Sequence, residues 1–398
     1  MLRLKKIDNC NEFGGLHDSW NELLRTSSNN SVFLTWEWMW TWWNIYRGEN
    51  SLYIIVAYSE RDELVGIAPL MLKAIKAYGM QVQTLQFISS GEETTPDYLN
   101  FMIKRGHEEE FVKSLFGFLK DKKTEWDIIN LKDMKKDTVM LDIMNALVKG
   151  KYHYSIINSG KCVYVELPQT WETYLEMLSR KSRYNIWKKE REISKKYKIE
   201  FSVIDNNEEL ESTMKKLSEL HAKRMYVKGV SGESVKPIFW QFHEEIAKKY
   251  SDNGWLFIGV LKLNGVIVAC QYAYQYNKIL FHYQSGIDPG FSKYSVGLLS
   301  NAYMIRESIK RGFKEYDFLS GNEVYKTHWA KNTRSTIELH LWNNNARACL
   351  CLVQHYCRTT CKRMMKRFGT EEQEYANQQQ TFAEQGTNRI MRIMQKIF

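Results

Sequence analysis

The sequence predicts an α/β (α+β) chain of two similar units in tandem, each a mixed twisted sheet flanked by helices, followed by a basic helical tail. Three observations predict it. At 398 residues the chain exceeds one typical core, so two domains are the natural expectation. Helical and strand-like hydrophobic periods alternate as far as residue 342, with runs of strands grouped into meanders. Both halves also reach the same signature, a strand reading aromatic-Asp-apolar-apolar: Trp126-Asp127-Ile128-Ile129 and Tyr316-Asp317-Phe318-Leu319. Helices, a meander, a loop, a helix and then that strand recur in the same order, which argues for a duplicated unit.

Composition narrows the function classes. The net charge of +10 favours anionic partners: phosphorylated cofactors, nucleic acid or a membrane surface. Seven cysteines without a framework of spacings suit a reducing compartment. The first residues, Met1-Leu2-Arg3-Leu4-Lys5-Lys6, lack a signal-peptide core, and no run has the ~18 apolar residues of a membrane span. The expectation is a cytoplasmic protein, with the basic tail as a peripheral contact to the inner face of the membrane.

In the first unit, 1–167, a helix is expected over 11–27 with Leu16, Trp20, Leu23 and Leu24 on one face. Thr35 caps a second helix to Tyr46, with Glu37 in its first turn. Its five tryptophans read as an aromatic wall or, with greater weight, as packing that anchors the helix to a sheet. Strands follow at 52–58, 64–74 and 81–88, then a Gly- and Pro-marked loop over 89–97 and a strand at 98–103. A helix at 108–120, the strand 126–131, a helix near 138–148 and strands at 152–157 and 162–167 complete the unit.

Pro168-Gln169 marks the boundary of the second unit, 168–345. Thr170 caps a helix that leads into a cationic segment, 180–198, where nine Lys and Arg face only Glu190 and Glu192. A strand at 199–204 and helices at 206–225 and 237–250 precede a meander over 255–285. Its first turn is Asn264-Gly265, a strong hairpin signal because a type I′ turn needs positive φ at both central residues. A helix ending at Arg311 and Gly312, the strand 316–319 and a polar loop over 321–326 follow. The tail, 346–398, begins with six basic and no acidic residues over 346–368.

The chemistry is expected after the meander. Tyr294-Ser295-Val296-Gly297 feeds a helix whose first N–H groups, at the positive end of the macrodipole, suit a pyrophosphate; the bland reading is an N-cap and a packing glycine. Lys326, set between Tyr325 and Trp329, would steady an acyl-transfer oxyanion or a phosphate, or else face solvent. Asp317, in an apolar strand, is a base or the buried mate of a Lys or Arg. Glu323 is a second candidate base. His282, flanked by Phe281 and Tyr283, reads as a core or groove histidine rather than a catalyst. No G-x-S-x-G elbow, H-E-x-x-H or Walker loop is present, so hydrolase and nucleoside-triphosphatase readings have no support. Cys349, Cys351, Cys357 and Cys361 lack paired C-x2-C spacing, and no metal is expected.

These motifs together resemble the GNAT acyltransferases of the CelD/FemAB-like type, which carry two GNAT-like folds in tandem. The resemblance rests on Arg183-Tyr184-Asn185-Ile186, the Asn-Gly meander, Tyr294-Ser295-Val296-Gly297-Leu298-Leu299, and Asp317-Phe318-Leu319-Ser320-Gly321 followed by Glu323, Tyr325-Lys326 and Trp329. It spans about 31–342, strongly after Leu178. It implies an N-acyltransferase, with an acyl-CoA (acetyl-CoA) pyrophosphate held at Tyr294, Ser295 and Gly297. Lys326, Asp317 and Glu323 would be the catalytic group, and Arg183, Tyr184, His282 and Tyr325 the substrate contacts. The usual pyrophosphate signature, Gln/Arg-x-x-Gly-x-Gly/Ala, is missing, since 292–297 holds one glycine.

Three functions follow. The first is acyl transfer, acetyl foremost, from acyl-CoA to a small amine such as an amino sugar or a cell-envelope or polysaccharide precursor. The second keeps the fold and takes aminoacyl-tRNA as donor, the basic helix contacting the RNA. The third is a non-catalytic scaffold on the membrane surface.

Overall fold

The structure is a computed structural model that describes residues 2–77, 79–91, 94, 96–136, 149, 152–205, 207–229, 236–321, 323, 325–353 and 355. The helix expected near 138–148 and the tail beyond 355 lie outside the described residues. In chain order the strands of the first half are β1 (Arg3–Ile7), β2 (Ser51–Leu52), β3 (Ile54–Tyr58), β4 (Leu64–Ala68), β5 (Leu70–Ala77), β6 (Met80–Phe87), β7 (Met102–Ile103), β8 (Ile128–Lys135) and β9 (His153–Glu166). Those of the second are β10 (Ile199–Ile204), β11 (Leu256–Leu263), β12 (Val266–Tyr276), β13 (Ile279–Ile287), β14 (Glu315–Ser320) and β15 (Asn332–Trp342).

They form a four-stranded antiparallel sheet, β1-β3-β4-β7, and an eleven-stranded mixed sheet, β10-β11-β12-β13-β14-β9-β15-β8-β6-β5-β2. The duplicated order appears as two parallel pairs, β6 with β8 and β13 with β14. Each pair is joined through a crossover helix, Glu108–Asp121 in one half and Val296–Lys310 in the other. At the middle of the sheet the halves exchange strands. β9, from the first half of the chain, lies against β14, while β15, from the second, lies against β8. β9 and β15 pair with each other, which fuses the two units into one sheet.

Several elements differ from the sequence expectation. The single strand expected over 64–74 is two strands in different sheets. Pro69 stands between them, where a residue without an N–H cannot continue a ladder. The strands expected at 152–157 and 162–167 are one, β9. β15 and β1 carry little pattern of their own and were not expected.

Strand alternation sorts the core of the second half into two faces. Leu256, Ile258 and Val260 of β11 pack with the helices Leu210–Lys228 and Pro237–Asp252. Phe257, Leu261 and Leu263 pack on the other side, with the crossover helix and the basic helix Arg180–Ser194. Gly259 allows that closeness, since a Cβ there would stand 2.3 Å from Met304 Sδ.

The tryptophan-rich helix Trp36–Tyr46 fastens the halves together. Trp38 is fully buried, donates to Ser89 Oγ at 2.8 Å, and meets Phe33, Phe242 and Tyr274 edge-on. Emptying such a site costs about 3–5 kcal/mol. The cluster is thus packing, and its partners include the helix Pro237–Asp252 as well as the sheet.

Candidate functional site

β13 and β14 pair in parallel for only three rungs, the last being Phe281 with Asp317. β13 then continues to Ile287. β14 bends away at Leu319, whose φ of 58° is unusual for a branched side chain, and Ser320 pairs instead with Cys162 of β9. A cavity of about 440 Å³ opens in the fork. His282 and Phe318 reach it from one face of the sheet, Tyr283 and Leu319 from the other. The cavity in the fork is therefore lined by side chains from both faces of the sheet.

The Lys loop closes one end. Lys326 is buried at the start of a one-turn helix, Lys326–Trp329. Its Nζ donates to the Ser320 carbonyl at 2.7 Å, approaches the Leu319 carbonyl at 3.4 Å and pairs with Glu323 Oε2 at 3.1 Å. Gly321 turns beneath it at φ 145°, and a Cβ there would fall 2.6 Å from Nζ and 2.1 Å from Glu323 Oε2. Lys326 thus faces the cavity, not solvent.

Two carboxylates arrive from the first half of the chain. Asp97, buried, accepts from the Ser320 amide at 2.8 Å, and desolvation lifts it to about 7 despite that bond. Asp133, inside β8 at φ 58°, is lifted to about 6, first by burial and then by Glu338. Both line the cavity, together with Arg224 and Lys228. None of these four was singled out in the sequence. Asp97 sits in an aperiodic Pro-Asp loop, and only the return of β14 gives it a partner. Arg224 and Lys228 do carry a signal, two cations spaced i,i+4 near a helix end.

His282 is held on both ring nitrogens. Ser285 Oγ spends its one proton on Gln271 Oε1 at 2.6 Å, so it accepts from His282 Nε2–H at 3.0 Å. Nδ1 is then left to accept from Tyr316 O–H at 2.9 Å. Burial first, then the charges of Lys326 and Arg224, press the imidazolium form down to about 3. His282 is a fixed neutral wall of the cavity, beside Tyr325.

Asp317 is away from the cavity wall. Its carboxylate accepts from Tyr98 O–H at 2.7 Å, Leu319 N–H at 2.8 Å and Arg334 Nη1 at 3.2 Å. Desolvation lifts it to about 6 against those donors. Of its two expected roles, the geometry is that of a buried mate, with Arg334 also forked onto Glu315. Asp127, its counterpart in β8's approach, is likewise buried and meets Arg347 at 3.0 Å. The geometry gives the base role at Asp317 no support, since its carboxylate already holds three donors and does not line the cavity.

Other expected contacts also lie off the cavity. Arg183 turns one guanidinium nitrogen to the carbonyls of Leu175, Glu176 and Leu178, closing the end of the helix Trp171–Met177. Tyr184 is exposed on the basic helix next to Trp187. Ser295 stands at φ 55° before the crossover helix and makes no side-chain cap. Tyr294 meets Tyr197 edge-on, and Gly297 lies against Ile287. None of Tyr294, Ser295 and Gly297 lines the cavity, although the helix they open starts at the same end of the sheet, after β13.

Among the described residues there is no cluster able to hold a metal ion, and no helix is long and apolar enough to cross a membrane. Residues 180–327 match the family described as an acetyltransferase (GNAT) domain. No curated protein sequence matches the chain. Among solved structures, FemX superposes with a TM-score of 0.56 at 12% identity, covering 84% of this chain and 96% of its own. The C-terminal domain of a putative lysylphosphatidylglycerol synthetase from Agrobacterium fabrum gives 0.51 at 10% identity, covering 86% and 95%. L-PGS from Bacillus licheniformis gives 0.50 at 12% identity, covering 85% and 96%. At such identities the likeness is one of fold.

Proposed function

We propose that the chain, whose residues 180–327 match the acetyltransferase (GNAT) domain family, is an acyltransferase of the FemAB-like type and moves an acyl group, acetyl foremost, from acyl-CoA to a small amine inside the β13–β14 fork. The observation that carries this reading is the cavity in the fork, lined from both faces of the sheet and holding Lys326 and Asp97 in its wall. Donor and acceptor can then approach from opposite faces and meet there, which removes much of the entropic barrier to a two-substrate reaction.

The chemistry follows from the groups at hand. The amine nitrogen attacks the thioester carbonyl, a C–N bond forms, and the carbonyl electrons move onto oxygen. Asp97, with its carboxyl near 7, takes the proton that the nitrogen must lose. Lys326 steadies the oxyanion by exchanging its weakest contact, the 3.4 Å approach to Leu319, for the new negative oxygen. Collapse breaks the C–S bond and releases the thiolate of CoA. Glu323, already paired with Lys326, keeps the ammonium in place rather than acting as base. The pyrophosphate is assigned to the turn at Tyr294, Ser295 and Gly297, where the crossover helix offers its N-terminal amides.

A second donor, aminoacyl-tRNA, is favoured by the basic helix, on which Lys188 and Arg191 lie over the exposed rings of Tyr184 and Trp187. Titration with acetyl-CoA and with tRNA separates the two. Acetyl-CoA should raise the melting temperature, and Gly297→Trp should abolish the rise. Indifference to every acyl-CoA, with tight salt-sensitive tRNA binding, would replace the first donor by the second.

A further inference from the structure

Tyr98 at 63° and Leu319 at 58° both hold a left-handed φ, which for bulky side chains is an outlier that the surroundings must enforce. Each stands next to a group of the proposed chemistry. Tyr98 follows Asp97. Leu319 precedes Ser320, whose N–H holds Asp97 at 2.8 Å and whose carbonyl holds Lys326 at 2.7 Å. Asp97 lies in the wall of the fork cavity, whereas Tyr98 lines a separate pocket of about 100 Å³ with Arg334 and Phe281.

One carboxylate serves both turns. Asp317, buried in β14 before the bend, accepts from Tyr98 O–H through Oδ2 at 2.7 Å and from the Leu319 amide through Oδ1 at 2.8 Å. Arg334 fixes this anchor. It donates to Asp317 Oδ2 at 3.2 Å, forks onto Glu315 at 2.9 and 2.8 Å, and stands over the Tyr98 ring, 5.7 Å from its centre. Backbone pairing gives the base little support. Among the described residues, 96–101 belong to no strand ladder, and their one bridge joins Leu99 to Met134. The Tyr98 hydroxyl is therefore a second point, besides Ser320, at which the segment carrying Asp97 is tied to β14.

We propose that Tyr98 is a positioning residue for the acylation: its O–H on Asp317 holds the left-handed turn that keeps the Asp97 carboxylate on Ser320 and directed into the cavity. The inference rests on the reading of Asp97 as the base. The hydroxyl, turned to Asp317, touches neither substrate nor reacting atoms and acts through the backbone. One strand, β14, then carries both the bend that opens the fork and the anchor that aims the base into it. A base displaced by about 1 Å loses on the order of 10²-fold in rate.

The test is Tyr98→Phe in the full chain, which keeps the ring beside Arg334 and removes one hydroxyl. Hydrogen exchange of the Ser320 amide, read by NMR, should quicken about 10-fold or more as Asp97 leaves it. The kcat for N-acetylation should fall about 10- to 100-fold, with KM for amine and acetyl-CoA held within about 2-fold. In an Asp97→Asn background the same substitution should cost less than about 2-fold further, since residues that act as one unit are not additive. Tyr98→Asn takes a left-handed φ readily but is too short to reach Asp317. It should repeat both effects, so the result does not depend on one variant's stability. Tyr164→Phe is the control, because its ring also meets Arg334, at 3.9 Å; exchange and rate should stay as in wild type. Unchanged Ser320 exchange in both Tyr98 variants overturns the proposal, as does a full further loss of rate in the Asp97→Asn background. Faster exchange with an unchanged rate upholds the positioning and removes Asp97 as the base, so the two readings fail separately.

Discussion

Asp97 and Lys326, from opposite halves of the chain, grip one residue between them. The Ser320 amide donates to Asp97 at 2.8 Å, and Lys326 donates to the Ser320 carbonyl at 2.7 Å. A single residue, through its own N–H and C=O, thus fixes the proposed base relative to the proposed oxyanion cation. The grip exists only because β14 leaves β13 after Asp317 while it stays paired with β9 as far as Ser320.

Asp97→Asn should keep the Ser320 bond, since the amide oxygen still accepts, while lowering kcat about 10²- to 10⁴-fold. The wild-type rate should rise with pH through about 7, where Asp97 ionises, and the variant should lose that limb. The stability effect has the opposite sense. A carboxyl raised on folding contributes stability that is full below its unfolded value, near 3.8, and lost as pH climbs through about 7. The variant should therefore melt higher than wild type at pH 8 and no higher at pH 4.

Gly321→Ala tests the Lys loop without touching a charge. Its Cβ would enter the space of Glu323 Oε2 and Lys326 Nζ, at a φ of 145° that alanine resists. Activity should fall at least 10-fold. The loop is near the surface, so the melting temperature should drop by only a few degrees, the equivalent of about 1–3 kcal/mol. Full activity would show that the Lys326–Glu323 pair does not position the catalytic cation.

Arg334→Ala should destabilise by about 3–5 kcal/mol, because it leaves Asp317 buried without its cation. Chemical denaturation measures this directly. Substituting Asp317→Asn in the same chain should recover part of the loss, since the uncompensated charge is then gone. A base role for Asp317 would instead make Asp317→Asn inactive at normal stability.

His282 should stay neutral across the working range. Nitrogen chemical shifts of the imidazole should report the Nε2–H tautomer unchanged from pH 5 to pH 9, as burial and Lys326 hold the ring down to about 3. A titration near 6.5 would return His282 to the list of proton carriers.

The sequence carried the fold wherever a local signal set the element. The Asn264-Gly265 hairpin, the cap at Thr170 and the repeated aromatic-Asp strand all lie where expected. It was silent where the partner decides. β15 has a modest pattern and gains its place from β8 and β9, and the break at Pro69 hides inside a continuous apolar run. The site divides the same way. Lys326, Glu323, His282 and Tyr325 were legible because they stand beside a recognisable strand and do meet in one cavity. Asp97 and Asp133 were not, since nothing local in a Pro-Asp loop or at the end of β8 says that the other half of the chain will arrive there.

The most direct measurement is mass spectrometry of full-length protein incubated with isotope-labelled acetyl-CoA and a panel of amines. The account predicts a labelled N-acetyl product from wild type and a loss of at least 100-fold with Lys326→Ala. A labelled product formed equally fast by Lys326→Ala would contradict the fork as the place of chemistry.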